Sequence, residues 1–237
     1  MSGWTWRDRV RSLAHDPMQL RPRNARRAQC PICGYAGRFW SFGNPPRRGA
    51  ICPACGAKER DRLLALWLAG QEVDPLAGRR ILHFAPEPCF RRQTGRAAAY
   101  ETADLMAPGV DHRNDLAAMP FADGAWDVVI CNHVLEHVAD DRAALREIRR
   151  VLGPGGLAVL MVPIVDAWPD TYEDPSIVAP AEREQHFGQY DHVRRYGSDY
   201  PERIAAAGFR VERFAATPRD CVRHALVPGE SVFAGHA

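Results

Sequence analysis

Four of the seven cysteines in this 237-residue chain stand in two Cys-x-x-Cys pairs, which are separated by 18 residues. They are Cys30, Cys33, Cys52 and Cys55. Two thiolate pairs at such a spacing can close a tetrahedron around one ion, and four sulfur ligands leave no coordination position for water. The spacing therefore predicts a zinc ribbon with a structural Zn²⁺. The other three cysteines lack such partners and are expected as ordinary core or surface residues.

A second group of reactive side chains lies at 164–198, a segment crowded with Asp, Glu, His, Arg, Tyr and Pro. The segment is too long and too polar for an ordinary connection, which favours a lid over an active site. Within it, His192 is the candidate general base, since imidazole titrates near neutral pH, and the adjacent Asp191 could orient the ring. The alternative is a salt-bridged surface hairpin.

The elements that would position these groups alternate between short strands and helices after Gly78. The β-rich runs are 80–84, 98–105, 126–131, 156–163, and two shorter runs near 210–214 and 230–234. Amphipathic helices are predicted at 140–152, capped by Asp140 or Asp141, and at 199–209. Strands separated by helices require crossovers, which predicts an α/β fold with a doubly wound, mostly parallel sheet.

The run from Asp115 to Gly156 resembles the central motifs of class I S-adenosylmethionine-dependent methyltransferases, especially the small-molecule branch. The matching elements are Asp115, Met119-Pro120-Phe121, Asp127, Leu135-Glu136-His137, Arg150-Val151-Leu152 and Pro154-Gly155-Gly156. With the flanking strands, the resemblance covers residues 79–215. It implies a Rossmann-like methyltransferase domain that binds S-adenosylmethionine.

Ligands of a doubly wound sheet bind beyond the carboxyl ends of its strands, where an acidic residue after the second strand can accept both ribose hydroxyls. Asp104 fills that position, and Glu101 is the weaker alternative. By the resemblance, Asp115 and Leu116 would meet the adenine, and Asn132 and His133 the methionine end. The full predicted cofactor set is His83, Phe84, Ala85, Glu87, Asp104, Leu105, Asp115, Leu116, Asn132 and His133.

The first loop departs from the family pattern. The family has a glycine-rich loop that lets the backbone approach the cofactor, whereas this chain has Ala85-Pro86-Glu87-Pro88. His83 also stands where an acidic residue is usual. Glu87 could replace part of the missing contact by pairing with the cofactor's ammonium group. The loop leaves open a domain that binds the cofactor without catalysis.

Methyl transfer requires an in-line approach of a nucleophile to the sulfonium methyl, with a base where the acceptor arrives protonated. The predicted catalytic residues are His192, Asp191 and His133, and the predicted acceptor-binding residues are Glu173, Arg194 and Tyr196. Arg194 and Arg195 would suit an acceptor that bears a carboxylate or phosphate. A small-molecule acceptor is favoured. RNA methylation, or another use of the same sulfonium, remains an alternative.

Charge is distributed unevenly along the chain. Residues 1–62 contain 13 Lys and Arg against 4 Asp and Glu, whereas the whole chain has a net charge of +2. The basic end could meet RNA phosphates or an acidic partner, or it could be a solvated surface. No run approaches the about 20 apolar residues of a membrane span, and the N-terminus lacks a signal-peptide core, which predicts a cytoplasmic protein.

The expected modules follow one another along the chain. They are a basic segment at 1–29 with a short helix around Trp4 to Leu13, the zinc ribbon at 30–58, a linking helix at 59–78 and the methyltransferase domain at 79–237, with its lid at 164–198.

Overall fold

The computed structural model describes residues 27–43 and 46–237. The helix expected around Trp4 to Leu13 and most of the basic segment 1–29 lie outside the described residues. The strands are β1 (Ala28–Gln29), β2 (Ala36–Gly37), β3 (Trp40–Phe42), β4 (Arg47–Ile51), β5 (Arg80–Phe84), β6 (Ala99–Asp104), β7 (His112–Arg113), β8 (Trp126–Asn132), β9 (Leu152–Met161), β10 (Tyr172–Glu173), β11 (Arg194–Arg195), β12 (Arg210–Ala215) and β13 (Ser231–His236). The α-helices are α1 (Glu59–Ala69), α2 (Asp141–Val151), α3 (Pro180–Phe187), α4 (Tyr200–Ala206) and α5 (Pro218–His224), and 3-10 helices span Pro88–Arg92 and Leu135–His137.

The chain divides into two compact units, each built from several segments. The ribbon unit contains the described residues up to Pro75, Glu87–Gly95 and Ala215–Ser231. The sheet unit contains Leu76–Pro86, Arg96–Phe214 and Val232–Ala237. The units therefore do not follow the consecutive modules expected from the sequence, since two later segments join the ribbon.

The ribbon unit contains two small antiparallel hairpins, β1 with β2 and β3 with β4. Each cysteine pair forms a tight turn that ends in a glycine with a left-handed backbone, at φ +76° for Gly34 and +77° for Gly56. The amides of these glycines donate to the carbonyl oxygens of Cys30 and Cys52, both at 2.9 Å. Glycine adopts this conformation without steric cost, which explains why each pair is followed by one.

Arg62 organises the inside of the ribbon unit. Its side chain on α1 is fully buried. The guanidinium donates to five backbone carbonyl oxygens, those of Gly49, Ala50, Ala57, His224 and Ala225. Because arginine has five N–H donors in a fixed plane, one side chain joins β4, the second cysteine turn and the end of α5.

The sheet unit has seven strands in the order β12-β13-β9-β8-β5-β6-β7. The pairs β8-β9, β5-β8, β5-β6 and β6-β7 are parallel, and β13 runs antiparallel to β9. The central strand β8 is an almost continuous buried run, as expected for a strand covered on both faces. The predicted doubly wound α/β fold with a zinc ribbon is thus confirmed.

Helix α2 shows how closely the local signals fix the boundaries. The side chain of Asp140 accepts a hydrogen bond from the amide of Ala143 at 2.8 Å, which caps the helix. Leu145, Ile148 and Val151 are fully buried at helical spacing. In the described residues 27–43 and 46–237, no helix has both the length and the apolar character needed to cross a membrane.

Candidate active site

Several of the residues expected to bind the cofactor lie at one edge of the sheet unit. Ala85 follows β5, Asp104 ends β6, and His133 follows β8. These strands are parallel neighbours, so their carboxyl ends meet at the same edge. This edge is where ligands of doubly wound sheets bind.

Two non-glycine residues at this edge adopt left-handed backbone conformations. Ala85 has φ +48° and His133 has φ +55°. The amide of Ala85 donates to the carbonyl oxygen of Ala103 at 2.9 Å, which holds the turn against β6. Left-handed backbone costs a non-glycine residue about 1–2 kcal/mol and is concentrated at functional sites. The first loop therefore makes a left-handed turn at an alanine, where the family resemblance leads to the expectation of a glycine.

The carboxylates at this edge are fixed by their own turns. Oδ1 of Asp104 accepts hydrogen bonds from the amides of Met106 and Ala107, both at 2.7 Å. Oδ1 of Asp115 accepts from the amide of Ala117 at 2.9 Å. Each carboxylate thus has a defined position at a strand or loop end.

The two leucines of the predicted cofactor set differ in exposure. Leu116 is buried in the core, whereas Leu105 is 54% exposed. Leu105 therefore offers an open apolar surface beside Asp104.

Two buried amide side chains at the same edge lack hydrogen-bond partners among the described residues. In Asn132 the unpaired atom is Oδ1, and in Asn114 both Oδ1 and Nδ2 are unpaired. Buried amides are normally hydrogen-bonded, so both side chains are suited to meet a polar ligand. Asn114 follows β7 and was not predicted. Asn114 directly precedes Asp115, the first residue of the family motif, and this position is the signal that could have identified it.

Three residues of the first loop region have inward contacts. His83 is fully buried, and its Nδ1 lies 3.0 Å from the hydroxyl of Tyr100. Phe84 is also buried. Glu87 belongs to the ribbon unit, where its Oε1 lies 3.4 Å from Nε of Arg60. Glu87, which was predicted to pair with the ammonium group of the cofactor, is thus already paired with Arg60.

A cavity of about 230 Å³ lies beyond β8 and β9 in the sheet unit. Its walls come from Glu136, from residues 163–165, and from Phe187, Gly188, His192, Arg194 and Arg195. The polar segment 164–198 supplies most of the lining. The structure therefore brings His192, the predicted base, to a cavity wall.

Glu136 and His192 line this cavity, and His133 and His137 lie beside them. Nδ1 of His133 lies 3.3 Å from Oε1 of Glu136, and Nδ1 of His137 lies 3.4 Å from Oδ2 of Asp191. The rings of His137 and His192 stand edge to face, 4.6 Å apart between centroids. Burial opposes ionisation of Glu136, but the nearby His133 holds the pKa of this carboxyl below its usual range. Burial lowers the pKa of His192.

The residues expected to bind an acceptor are instead held by contacts within the fold. Arg194 is 3% exposed and donates to the carbonyl oxygens of Leu135 and Ala139 at 2.7 and 2.8 Å. Its Nε also donates to Glu173 at 3.0 Å. Tyr196 is fully buried, and its hydroxyl donates to Asp141 at 2.8 Å. Arg194, Glu173 and Tyr196 thus hold the segment 164–198 against the rest of the sheet unit, whereas the sequence predicted that they bind an acceptor.

The four ribbon cysteines form a compact cluster within the ribbon unit. Sγ of Cys30 lies 3.7 Å from Sγ of Cys55, and Sγ of Cys33 lies 3.6 Å from Sγ of Cys52. Four sulfurs bound at about 2.3 Å from a tetrahedral zinc ion would be separated by about 3.8 Å. The donor set and its spacing therefore fit Zn²⁺.

Comparison with known proteins gives the same family for part of the chain. Residues 90–160 match the family model described as "Methyltransferase domain". The human thiol S-methyltransferase TMT1B is 38% identical over 86 residues, which are 34% of this chain and 32% of that protein. An uncharacterized methyltransferase of Mycobacterium sp. (strain KMS) is 34% identical over 113 residues, 40% of this chain and 42% of that protein. This chain therefore spans less than half the length of either relative.

The fold also has a counterpart among solved structures. A complex between the Haloferax volcanii Trm112 methyltransferase activator and a methyltransferase contains a chain with a TM-score of 0.53 and 18% identity. The alignment covers 74% of this chain and 88% of that one. The family match over residues 90–160 and the sheet order agree with the motifs described above, and they show that this part of the chain is similar to Rossmann-like, S-adenosylmethionine-dependent methyltransferase domains.

Proposed function

We propose that the protein transfers a methyl group from S-adenosylmethionine to a small-molecule acceptor and carries a structural zinc ion in its ribbon. The proposal is supported by the cavity beyond β8 and β9, which lies at the carboxyl ends of these strands, the same edge of the sheet as the predicted cofactor residues. A cavity of about 230 Å³ suits a small acceptor. The relative named for thiol methylation agrees with this size class.

In this proposal, the residues at the strand ends contact different parts of the cofactor. Asp104 would accept hydrogen bonds from the ribose hydroxyls, since Oδ1 is anchored by two amides and fixes the carboxylate at the end of β6. Asn114 and Asn132 would supply hydrogen bonds that their buried amides otherwise lack. S-adenosylmethionine supplies an electrophilic methyl group when bound. The protein's part is to hold an acceptor in line with that methyl and to exclude water.

The acceptor side is assigned to His192 and Arg195. Both line the cavity, as does Arg194, but the guanidinium of Arg194 donates to carbonyl oxygens and to Glu173. Arg195 lies over the ring of Trp168 at 5.5 Å and makes no ion pair with the described residues. Arg195 would therefore meet a carboxylate or phosphate on the acceptor, a role that the sequence suggested for both Arg194 and Arg195.

Calorimetry tests the cofactor part of the proposal. The wild type should bind S-adenosylmethionine and S-adenosylhomocysteine, and Asp104→Ala should weaken binding by about 1–3 kcal/mol, the range for a lost charged hydrogen bond. Glu184→Ala is the control, because Glu184 is an exposed carboxylate on α3. Unchanged affinity in Asp104→Ala would remove the ribose role, and a wild type that binds neither ligand would favour a non-catalytic domain.

Product analysis tests the acceptor part. Incubation with labelled S-adenosylmethionine and a metabolite extract should yield a labelled small molecule, and His192→Ala should lower its formation by about 10²–10⁴ if His192 activates the acceptor. Label that appears in RNA instead, with a salt-sensitive dependence on that RNA, would establish the alternative function.

A further inference from the structure

A buried carboxylate and two imidazoles converge at the cavity wall of the sheet unit. Glu136 is 1% exposed, and neither of its carboxylate oxygens has a hydrogen-bond partner among the described residues. One donor atom each from Glu136, His137 and His192 lie within 4.8 Å of one another. We propose that these three side chains bind a divalent transition-metal ion, in a site separate from the cysteine ribbon.

The carboxylate gives the first reason. A buried carboxylate normally accepts several hydrogen bonds or coordinates a cation, because leaving it bare in a low-dielectric site is costly. The closest basic group is His133, with Nδ1 at 3.3 Å from Oε1. That contact leaves Oε2 without a partner. A bound cation supplies the missing interaction, and the carboxylate faces a cavity through which an ion can enter.

Geometry gives the second reason. Donor atoms about 2.1 Å from one ion lie about 3–4 Å apart, so the observed cluster needs only small side-chain rotations to close. Glu136 and His137 are consecutive in a 3-10 helix, and His192 comes from the segment 164–198. The amide of Val193 donates to the carbonyl oxygen of Glu136 at 2.9 Å. This hydrogen bond holds the 3-10 helix and the segment 164–198 together in the absence of an ion.

Asp191 completes the arrangement. Its Oδ2 lies 3.4 Å from Nδ1 of His137. Carboxylates commonly contact the second nitrogen of a metal-binding histidine, where they fix the ring orientation and raise its basicity. Asp191, which the sequence suggested as an orienter of His192, is instead placed to orient His137.

The donor set narrows the choice of ion. Two imidazole nitrogens and one carboxylate suit Mn²⁺, Fe²⁺, Co²⁺ or Zn²⁺, whereas Mg²⁺ and Ca²⁺ prefer oxygen donors. Three protein ligands leave coordination positions open. An ion with open positions differs in kind from a structural zinc enclosed by four thiolates.

The role of this metal ion rests on the proposed function. Its open coordination positions would bind an acceptor hydroxyl and lower the pKa of that hydroxyl. The hydroxyl proton passes to water, the acceptor oxygen forms a bond to the methyl carbon, and the bond from that carbon to the sulfonium sulfur breaks. His192 then acts as a ligand, since its lone pair is occupied by the ion and cannot also take the proton.

Manganese titration tests the site directly. Protein that retains its ribbon metal is titrated with Mn²⁺, and free Mn²⁺ is measured by electron paramagnetic resonance, because Mn²⁺ disfavours thiolate sites. The wild type should bind one Mn²⁺ per chain. Glu136→Gln and His192→Ala should each weaken binding at least about tenfold. His186→Ala is the matched control, since His186 belongs to the same segment but contacts Tyr172 at 2.8 Å instead of the cluster.

Thermal unfolding and S-adenosylhomocysteine binding establish that each variant is folded. A folded wild type that binds neither Mn²⁺ nor Zn²⁺ beyond the ribbon equivalent would overturn the site, as would Mn²⁺ binding that is equal in the wild type and both ligand variants. Mn²⁺ binding that follows the variants, in a protein that binds no S-adenosylmethionine, would keep the metal site and contradict the proposed function.

Discussion

The guanidinium of Arg194 donates to the carbonyl oxygen of Leu135 at 2.7 Å, across 59 residues of chain. Leu135 begins the 3-10 helix that carries Glu136 and His137, so the contact ties the segment 164–198 to the end of β8. The polar segment is therefore held in place by an internal cation. This attachment sets the position of the cavity wall and leads to the first prediction.

Arg194→Lys should lower the free energy of unfolding by about 2–4 kcal/mol, because one ammonium group cannot reach several carbonyl oxygens and Glu173 together. Urea unfolding at neutral pH measures the change. Arg195→Lys, on the neighbouring half-buried arginine that stacks on Trp168, should lower it by less than about 1 kcal/mol. Equal losses in the two variants would contradict the internal role of Arg194.

Acid should remove the contribution of Glu173 to stability. Burial tends to raise its pKa, but hydrogen bonds from Arg194 and Arg203 hold the pKa of Glu173 below its usual value. A lowered folded-state pKa stabilises the fold above the unfolded-state pKa of about 4.3, and this stabilisation disappears as pH falls through the folded-state value.

Glu173→Gln should therefore cost about 1 kcal/mol at neutral pH, a value reduced for solvent screening because the side chain is 38% exposed. Its deficit relative to the wild type should shrink in acid. Denaturant unfolding across the acidic range checks the trend, with the exposed Glu184→Gln as control. If the loss of unfolding free energy in Glu173→Gln grew on acidification, the result would contradict stabilisation of the ionised Glu173 by Arg194 and Arg203.

The left-handed backbone at Ala85 predicts an unusual substitution. Ala85→Gly should raise the free energy of unfolding by about 1 kcal/mol, because glycine adopts positive φ without the Cβ clash. Ala99→Gly, within the regular strand β6, should lower it by about 0.5–1 kcal/mol. Thermal or denaturant unfolding compares the two. If both glycines destabilise alike, the turn after β5 is not left-handed.

Metal analysis tests the ribbon. Protein washed with a weak chelator should retain about one zinc per chain, since four thiolates form a closed tetrahedral site. Cys33→Ser should lose the ion and the folded ribbon unit. Cys221→Ser provides the control, because Cys221 is a buried cysteine of the same unit outside the cluster. Absence of any thiophilic ion from the wild type would reject the assignment.

Local patterns predicted the parts of the molecule that depend on local chemistry. The cysteine spacing indicated the ribbon, and β5 has the bounds 80–84 predicted from its hydrophobic run. Helix α2 lies within one residue of its predicted ends because a cap and an apolar stripe mark them. The mostly parallel sheet was predicted from strands that alternate with helices. The family resemblance placed several of the predicted cofactor residues at strand ends.

Features that join distant segments could not be read from the chain. Glu136 belongs to the Leu135-Glu136-His137 motif, but the sequence assigned it no chemical role. Only the fold brings it beside His192. Arg194 was predicted to bind an acceptor, but its partners include three carbonyl oxygens, which no sequence pattern indicates. Asn114 acquires interest only because its buried amide lacks a partner among the described residues.

Arg62 has a consequence for how the protein is made. Two of its five acceptors, the carbonyls of His224 and Ala225, lie 162 and 163 residues later in the chain. A ribosome delivers those residues long after the cysteines, so the nascent ribbon can capture zinc but cannot satisfy the buried guanidinium until residues 224 and 225 have also emerged. We therefore expect the ribbon unit to close only after residues 96–214 of the sheet unit have been synthesised, although its cysteines emerge first.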